Sequence, residues 1–259
     1  MYNREETLDI IKSASVKKSS LSIPSLLILG FFAGLMIAFA ALISTIASMN
    51  LLSNPDTYGL GKLVQGIVFS GGLVMVVLGG AELFTGNSLM LIGLLSHSIS
   101  LKGLVKNWTF VLLGNALGAA FLALLASLAG IYSANSGLLG TTLSNIATAK
   151  ASLPFGSALI LGILCNILVC LAVFMAFSAK SFSGKFLSCL FPVTFFVAAG
   201  FEHSIANFFY LPAGFIASGS YTFGSLSTNL IPVILGNIIG GALIVACGYY
   251  FSSKNAKIK

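Results

Sequence analysis

Glu82 and Glu202 are the residues from which chemistry could start in this chain. Each lies inside a long apolar run, and each is followed five positions later by an asparagine, Asn87 and Asn207. The other four acids, Glu5, Glu6, Asp9 and Asp56, fall in the N-terminal tail or a loop. An ionisable group in apolar sequence is expensive and marks a functional site by default. His203 directly follows Glu202. Its ordinary pKa near neutrality suits it to carry a proton or to face an anion as a countercharge. Glycines interrupt both neighbourhoods: Gly79, Gly80 and Gly86 around Glu82, and Gly200 before Glu202. Irregular backbone amid apolar sequence is tolerated only where protein buries it or water lines it. The helix N-termini it exposes attract anions. Two roles are open to the acids. They could line an ion path, or they could accept hydrogen bonds from loop N–H groups and hold each break in shape. The second is the expectation, with Asn87 and Asn207 capping the half-helices that follow.

Other chemistries find little support. Cys165, Cys170, Cys189 and Cys247 all lie in apolar runs without a CxxC partner, and read as small packing residues. The two histidines, His97 and His203, are too far apart to anchor a metal cluster, so neither a metal nor a cofactor is expected. A hydrolase needs an activated nucleophile beside a base. His203 and Ser204 are sequence neighbours on a break, not a dyad, so no enzymatic activity is expected.

The elements that must position these residues follow from composition. Of 259 residues, 57% are hydrophobic and only 7% charged, with mean hydropathy +1.03. A soluble domain carries about a quarter charged residues. This balance excludes a soluble enzyme and a disordered chain. The net charge of +7 comes from scattered basic residues with no aromatic-interleaved patch, which excludes a nucleic-acid binder. A spanning helix needs about 20 apolar residues. Six runs qualify, near residues 25–49, 63–95 with an interruption, 105–132, 155–179, 185 onward with an interruption at 200–205, and 226–251. The expectation is an all-α polytopic membrane protein. Residues 1–24 form an N-terminal segment, 25–253 the transmembrane domain, and 254–259 a tail. Within the first segment, Leu8, Ile11 and Val16 suggest an amphipathic helix whose basic residues suit an anionic bilayer surface. The first apolar run is too long for a signal peptide. With six spans, eleven of the thirteen Lys and Arg share the side of the termini, and only Lys62 and Lys150 lie opposite. By the positive-inside rule both termini are cytoplasmic. Trp108 suits an interfacial anchor.

The two halves resemble each other. Gly114-Asn115-Ala116-Leu117-Gly118 matches Gly236-Asn237-Ile238-Ile239-Gly240 at an offset of 122, and Glu82/Asn87 match Glu202/Asn207 at 120. Three spans per half is an odd number, so the copies run in opposite senses: an inverted 3+3 repeat with two broken helices. The paired glycines read as notches for helix packing.

The segment Glu82-Leu83-Phe84-Thr85-Gly86-Asn87 resembles the first signature of the formate/nitrite transporter family. Phe191-Pro192-Val193 with Gly200-Phe201-Glu202-His203-Ser204-Ile205-Ala206-Asn207 resembles the second. Gly162-Ile163-Leu164-Cys165-Asn166 and Gly236-Asn237-Ile238-Ile239-Gly240-Gly241 also match. The resemblance covers the whole chain and is strongest to the hydrosulfide ion channel branch. Ala40 and Phe174 depart from the family's frequent Gly and Trp, both at packing positions.

The resemblance implies an aquaporin-like protomer in a homopentamer of the bacterial plasma membrane. Each protomer carries one pore for small monovalent anions such as hydrosulfide, formate or nitrite. It implies a cytoplasmic constriction of Phe69 and Leu73 and an extracellular one of Leu83 and Phe196 with Val169. His203 stands between them, hydrogen-bonded to Thr85, with Asn166 and Asn207 lining the path and Lys150 in the vestibule. Two mechanisms stay open: a cationic His203 pairs with the anion, or a proton neutralises the anion so that the uncharged acid crosses. Two rival functions are a proton-coupled secondary transporter of such anions and an aquaporin-like neutral-solute channel. The second lacks the paired Asn-Pro-Ala motifs, since Leu211-Pro212-Ala213 has no Asn.

Overall fold

A computed structural model describes residues 1–219 and 223–256. The elements in order are α1 (Arg4–Ser20), α2 (Ile23–Leu52), α3 (Tyr58–Gly79), α4 (Leu91–Leu95), α5 (Leu101–Leu128), α6 (Leu138–Ala151), α7 (Phe155–Ser178), α8 (Phe182–Ala198), α9 (Ser204–Ser218), α10 (Phe223–Ile238) and α11 (Cys247–Ala256). A 3₁₀ turn, Gly86–Met90, leads into α4, and a π-helical stretch, Ile239–Ala246, joins α10 to α11. Several starts are written locally. Ser22, Ser100 and Ser181 accept from the backbone N–H three residues on, capping α2, α5 and α8. Asn3 and Glu6 form a reciprocal capping box at α1.

Among the described residues five helices are long and apolar enough to cross a membrane: Ile23–Leu52, Pro55–Gly79, Leu101–Leu128, Phe155–Ser178 and Leu226–Ser253. The expected fifth span is instead two short apolar helices, Phe182–Ala198 and Ser204–Ser218, with the interruption where the sequence placed it. The long helices turn apolar side chains outward as well as inward. Ile28, Phe32 and Ile43 of α2 and Leu117 and Leu128 of α5 are exposed, a surface suited to lipid rather than water. Helix α6 was not anticipated. Half of its 14 residues are apolar, interleaved with Thr, Ser, Asn and Lys, and it packs on α9, with Leu143 backbone against Gly214.

Close approach holds the long helices together. A Cβ on Gly114 would lie 2.6 Å from the Leu27 carbonyl, and one on Gly236 would overlap the Leu159 carbonyl. The paired glycines are packing notches, as expected.

The N-terminal segment differs from its expected role. Leu8 and Ile11 are buried against Leu89, Ile92, Phe174 and Val245, while Val16 is exposed. The apolar stripe of α1 is therefore spent on the protein, not on a bilayer surface. Tyr2 N–H donates to the Ser178 carbonyl, and the Tyr250 hydroxyl to the Leu95 carbonyl. Both described ends of the chain thus meet at one end of the molecule. Of the expected tail, Lys257 and Lys259 lie outside the described residues.

Candidate functional site

Two breaks in helical order face each other. Gly80 takes φ +70° after α3, and Gly200 takes φ +75° after α8. This left-handed region is cheap only for glycine. Each glycine turns the chain into a short extended stretch that crosses back over a neighbouring helix. Glu82 N–H then donates to the Leu29 carbonyl and Glu202 N–H to the Leu161 carbonyl, each at 3.3 Å.

An asparagine latches each stretch. Asn115 Nδ2 donates to the carbonyls of Gly30 (2.7 Å) and Glu82 (2.9 Å), and its Oδ1 accepts from Phe84 N–H at 2.9 Å. Asn237 repeats this with Gly162 (2.8 Å), Glu202 (3.0 Å) and Ser204 N–H (3.0 Å). Both are fully buried. The latch has a consequence downstream. Asn166 Nδ2 takes the Asn237 carbonyl at 2.6 Å, which an α-helical ladder would give to Gly241 N–H, and the helix widens into its π stretch.

The carboxylates themselves are held by side chains, which corrects the expectation that they accept loop N–H groups. Lys18 Nζ donates to Glu82 Oε1 at 2.7 Å and to Asn87 Oδ1 at 2.9 Å. Asn87 Nδ2 donates to Glu82 Oε2 (2.7 Å) and to Asn107 Oδ1 (2.8 Å). In the second half Lys150 Nζ donates to Glu202 Oε1 at 2.7 Å. Asn207 Nδ2 donates to Glu202 Oε2 (2.6 Å) and to Asn229 Oδ1 (2.7 Å). Burying a carboxylate needs a countercharge and filled lone pairs, and each quartet supplies both. Asn207 therefore serves the acid, not the helix end. The cap of α9 is His203, whose Nδ1 accepts from Ala206 N–H at 3.2 Å.

That bond fixes the ring. An Nδ1 accepting from the backbone carries no proton, so the neutral imidazole holds its proton on Nε2. Nε2 lies 3.1 Å from Thr85 Oγ1 on the facing break. Thr85 accepts there, and its own O–H is left to donate. His203 also stacks on Phe196, with ring centroids 5.7 Å apart and planes at 14°.

Recesses approach this centre from opposite ends of α3. One, of about 390 Å³, is lined by Lys18, Leu73, Val76, Glu82, Leu83 and Lys185 among others. The other, of about 90 Å³, is lined by Lys62, Gln65, Phe69, Lys150, Phe196 and His203 among others. The apolar side chains group differently from the expected pairs. Phe69 meets Phe196 edge-on at 5.9 Å, and Leu73 shares the first recess with Leu83. Phe69 and Leu73 are one helical turn apart on α3, about 6 Å along the axis, so they serve opposite sides of the centre. Val169, like both pairs, is buried in the main core. Trp108 is anchored by its indole N–H on the Asn87 carbonyl at 3.0 Å rather than standing free at an interface.

Lys18, Asn107, Asn229 and the latching roles of Asn115 and Asn237 were not read from sequence. A signal existed: asparagines eight apart, 107/115 and 229/237, sit on one face of an apolar helix in each half. A buried amide is costly unless bonded.

Among the described residues, these features define a helical protein with several helices apolar enough to cross a membrane and two facing breaks whose buried side chains meet at His203 and Thr85. The chain belongs to the formate/nitrite transporter family, whose model, "Formate/nitrite transporter", matches residues 5–251. It is 41% identical over 251 residues to the "Uncharacterized transporter YrhG" of Bacillus subtilis (strain 168), covering 96% of this chain and 92% of that protein. It is 39% identical over 241 residues to the "Formate channel FocA" of Escherichia coli (strain K12), covering 86% and 84%. The solved "Pentameric formate channel with formate bound" superposes with a TM-score of 0.77 at 34% identity, covering 94% of this chain and 99% of that one.

Proposed function

We propose that this protein is a channel for small monovalent anions of the formate, nitrite and hydrosulfide class. It works as a homopentamer in the bacterial plasma membrane, with one path per protomer and both termini cytoplasmic. In this reading each half contributes three spans, in opposite senses, and the two breaks meet at the bilayer midplane. The observation that carries the proposal is the pair of recesses at opposite ends of α3, one lined by Leu73 and Leu83 beside the first break, the other by Phe69, Phe196 and His203 at the second. The pentamer and the formate class come from likeness to solved and curated relatives. Hydrosulfide comes from the motif resemblance.

The physical obstacle is desolvation, which costs several kcal/mol for a small ion even after relaxation. Phe69 and Phe196 on one side, and Leu73 and Leu83 on the other, strip water from the anion, with Val169 walling the space between. The Thr85 O–H, oriented by His203, then replaces a lost water. Asn166 and Asn207 add polar lining. Two roles remain for His203. As the neutral tautomer it orients Thr85. As an imidazolium it would give a proton to the anion and return to neutrality, and the uncharged acid would pass. The Ala206 bond to Nδ1 favours the first, because charging the ring breaks the cap of α9.

Purified protein in liposomes tests this with a flux panel of hydrosulfide, formate, nitrite and chloride at several pH values, plus glycerol. Anion flux down its gradient without glycerol swelling is expected. Uphill uptake driven by a proton gradient identifies the secondary transporter instead, and glycerol swelling without anion flux identifies the neutral-solute channel.

A further inference from the structure

We infer that Lys62 and Gln65 form an anion capture site at the Lys150 mouth, before the Phe69–Phe196 pair. The inference rests on the anion-channel reading and adds to it a binding site on a different helix from the breaks.

Lys150 is the obvious cation in this recess, but its charge is committed. Its Nζ lies 2.7 Å from Glu202 Oε1, and both side chains are largely buried. An ammonium held this close to a carboxylate must leave or share its partner before it can bind an arriving anion. Lys62 lines the same recess, and among the described residues no carboxylate lies within ion-pair reach of it. Its nearest ring neighbour is Tyr58, at 6.0 Å. The Nζ also sits 4.0 Å from where a Cβ on Gly200 would be, so the ammonium reaches the second break itself.

Gln65 supplies the independent observation. As a residue it is only 8% exposed, it lines this recess, and its amide makes no hydrogen bond within the described part of the protein. The amide is not sealed off as Asn166 Oδ1 and Asn207 Oδ1 are, so it is free to donate to a ligand or water in the recess. Lys62, Gln65 and Phe69 fall at i, i+3 and i+7, one stripe of α3. The stripe leads from an unpaired cation through an unpaired amide to the ring at the narrow point. A small oxyanion or hydrosulfide fits between them, accepting from Lys62 Nζ and Gln65 Nε2. It would enter the apolar pair already half stripped of water.

The test is formate influx into liposomes holding the full chain, measured against formate concentration at low ionic strength. A unit charge about 4 Å away in water changes occupancy by about fivefold. Lys62→Met is expected to raise the half-saturating concentration by about that factor and to leave saturated flux nearly unchanged. Lys62→Arg is expected to restore it, and Gln65→Leu to raise it by a smaller factor. Lys102→Met, which removes the same charge on α5 outside both recesses, controls for net charge. An unchanged concentration dependence in Lys62→Met, or an equal change in Lys102→Met, overturns the site. If the unaltered protein carries none of formate, nitrite and hydrosulfide, the channel reading fails. The capture site is then decided by ¹³C-formate line broadening on detergent-solubilised protein, with loss in Lys62→Met and return in Lys62→Arg expected. No broadening, or broadening that Lys62→Met leaves intact, rejects it.

Discussion

Lys150 and Glu202 sit 2.7 Å apart, mostly out of solvent, and that limits what either tolerates. Glu202→Gln keeps the shape but leaves the ammonium unpaired. It also turns an amide N–H toward the N–H donors of Lys150 or Asn207. Breaking one side of a buried pair costs about 3–5 kcal/mol. The expected outcome is a large loss of folded yield and of thermal stability in detergent. Lys150→Met with Glu202→Gln together should cost less than the sum of the single changes, as a thermal-shift mutant cycle would read. Simple additivity would argue that the pair is not coupled. His203 allows a cleaner exchange than its burial suggests, because asparagine is also a good N-cap. His203→Asn should fold like the parent. Losing a hydrogen bond to a charged group costs about 1.5–3 kcal/mol, so flux should fall about tenfold or more. The pH dependence of flux should stay as in the parent, since a ring that keeps Nδ1 free to cap α9 stays neutral. Parental flux would reduce His203 to a helix cap, and a flattened pH dependence would favour the imidazolium role instead.

The breaks depend on backbone freedom as much as on latches. A Cβ on Gly80 would meet nothing within 4 Å, so Gly80→Ala tests its φ of +70° alone. About 1–2 kcal/mol of destabilisation is expected from that conformation. Gly118→Ala should cost more, since its Cβ would overlap the Phe31 carbonyl. Equal thermal shifts for the two would mean that close helix approach adds nothing. Much of this level was legible in the sequence. Long apolar runs placed the helices, and the glycines with Glu82 and Glu202 placed both breaks, because these are local signals of length and backbone strain. The partners of the acids were not legible. Lys18 lies 64 residues from Glu82 and Lys150 lies 52 before Glu202, with no period to link them. Helix α6 escaped because its 14 residues, half of them apolar, are too few to register as a span. The pairing of Phe69 with Leu73 rests on the family resemblance alone; in the structure the two line different recesses, a turn of rise apart on α3.

At the scale of the molecule, the two halves assemble the same quartet with one difference in provenance. Lys150 comes from α6 between two long helices, whereas Lys18 comes from α1 ahead of the first. The Glu82 break is therefore completed by the N-terminal segment, and the Lys18 recess is walled partly by that segment. Lys18→Met should destabilise the fold by about 3 kcal/mol, at the lower end for a buried pair because Lys18 retains some solvent contact. A thermal midpoint equal to the parent's would detach α1 from the core. The same opposed arrangement sets a rule for size selection. On the proposed channel reading, Phe69–Phe196 and Leu73–Leu83, which line different recesses, stand in series, so an oversized anion must clear both. Phe196→Ala alone leaves the leucine pair as a filter, and Leu83→Ala alone leaves the phenylalanine pair. Each single change should alter the acetate-to-formate flux ratio by less than about twofold, well under 1 kcal/mol of barrier. The double change should raise it by about tenfold, equivalent to about 1.4 kcal/mol of relieved barrier. Stopped-flow influx into liposomes reads this ratio directly. A single substitution that matched the double would show that one pair does all the selecting, and the series arrangement would then have no part in choosing the ion.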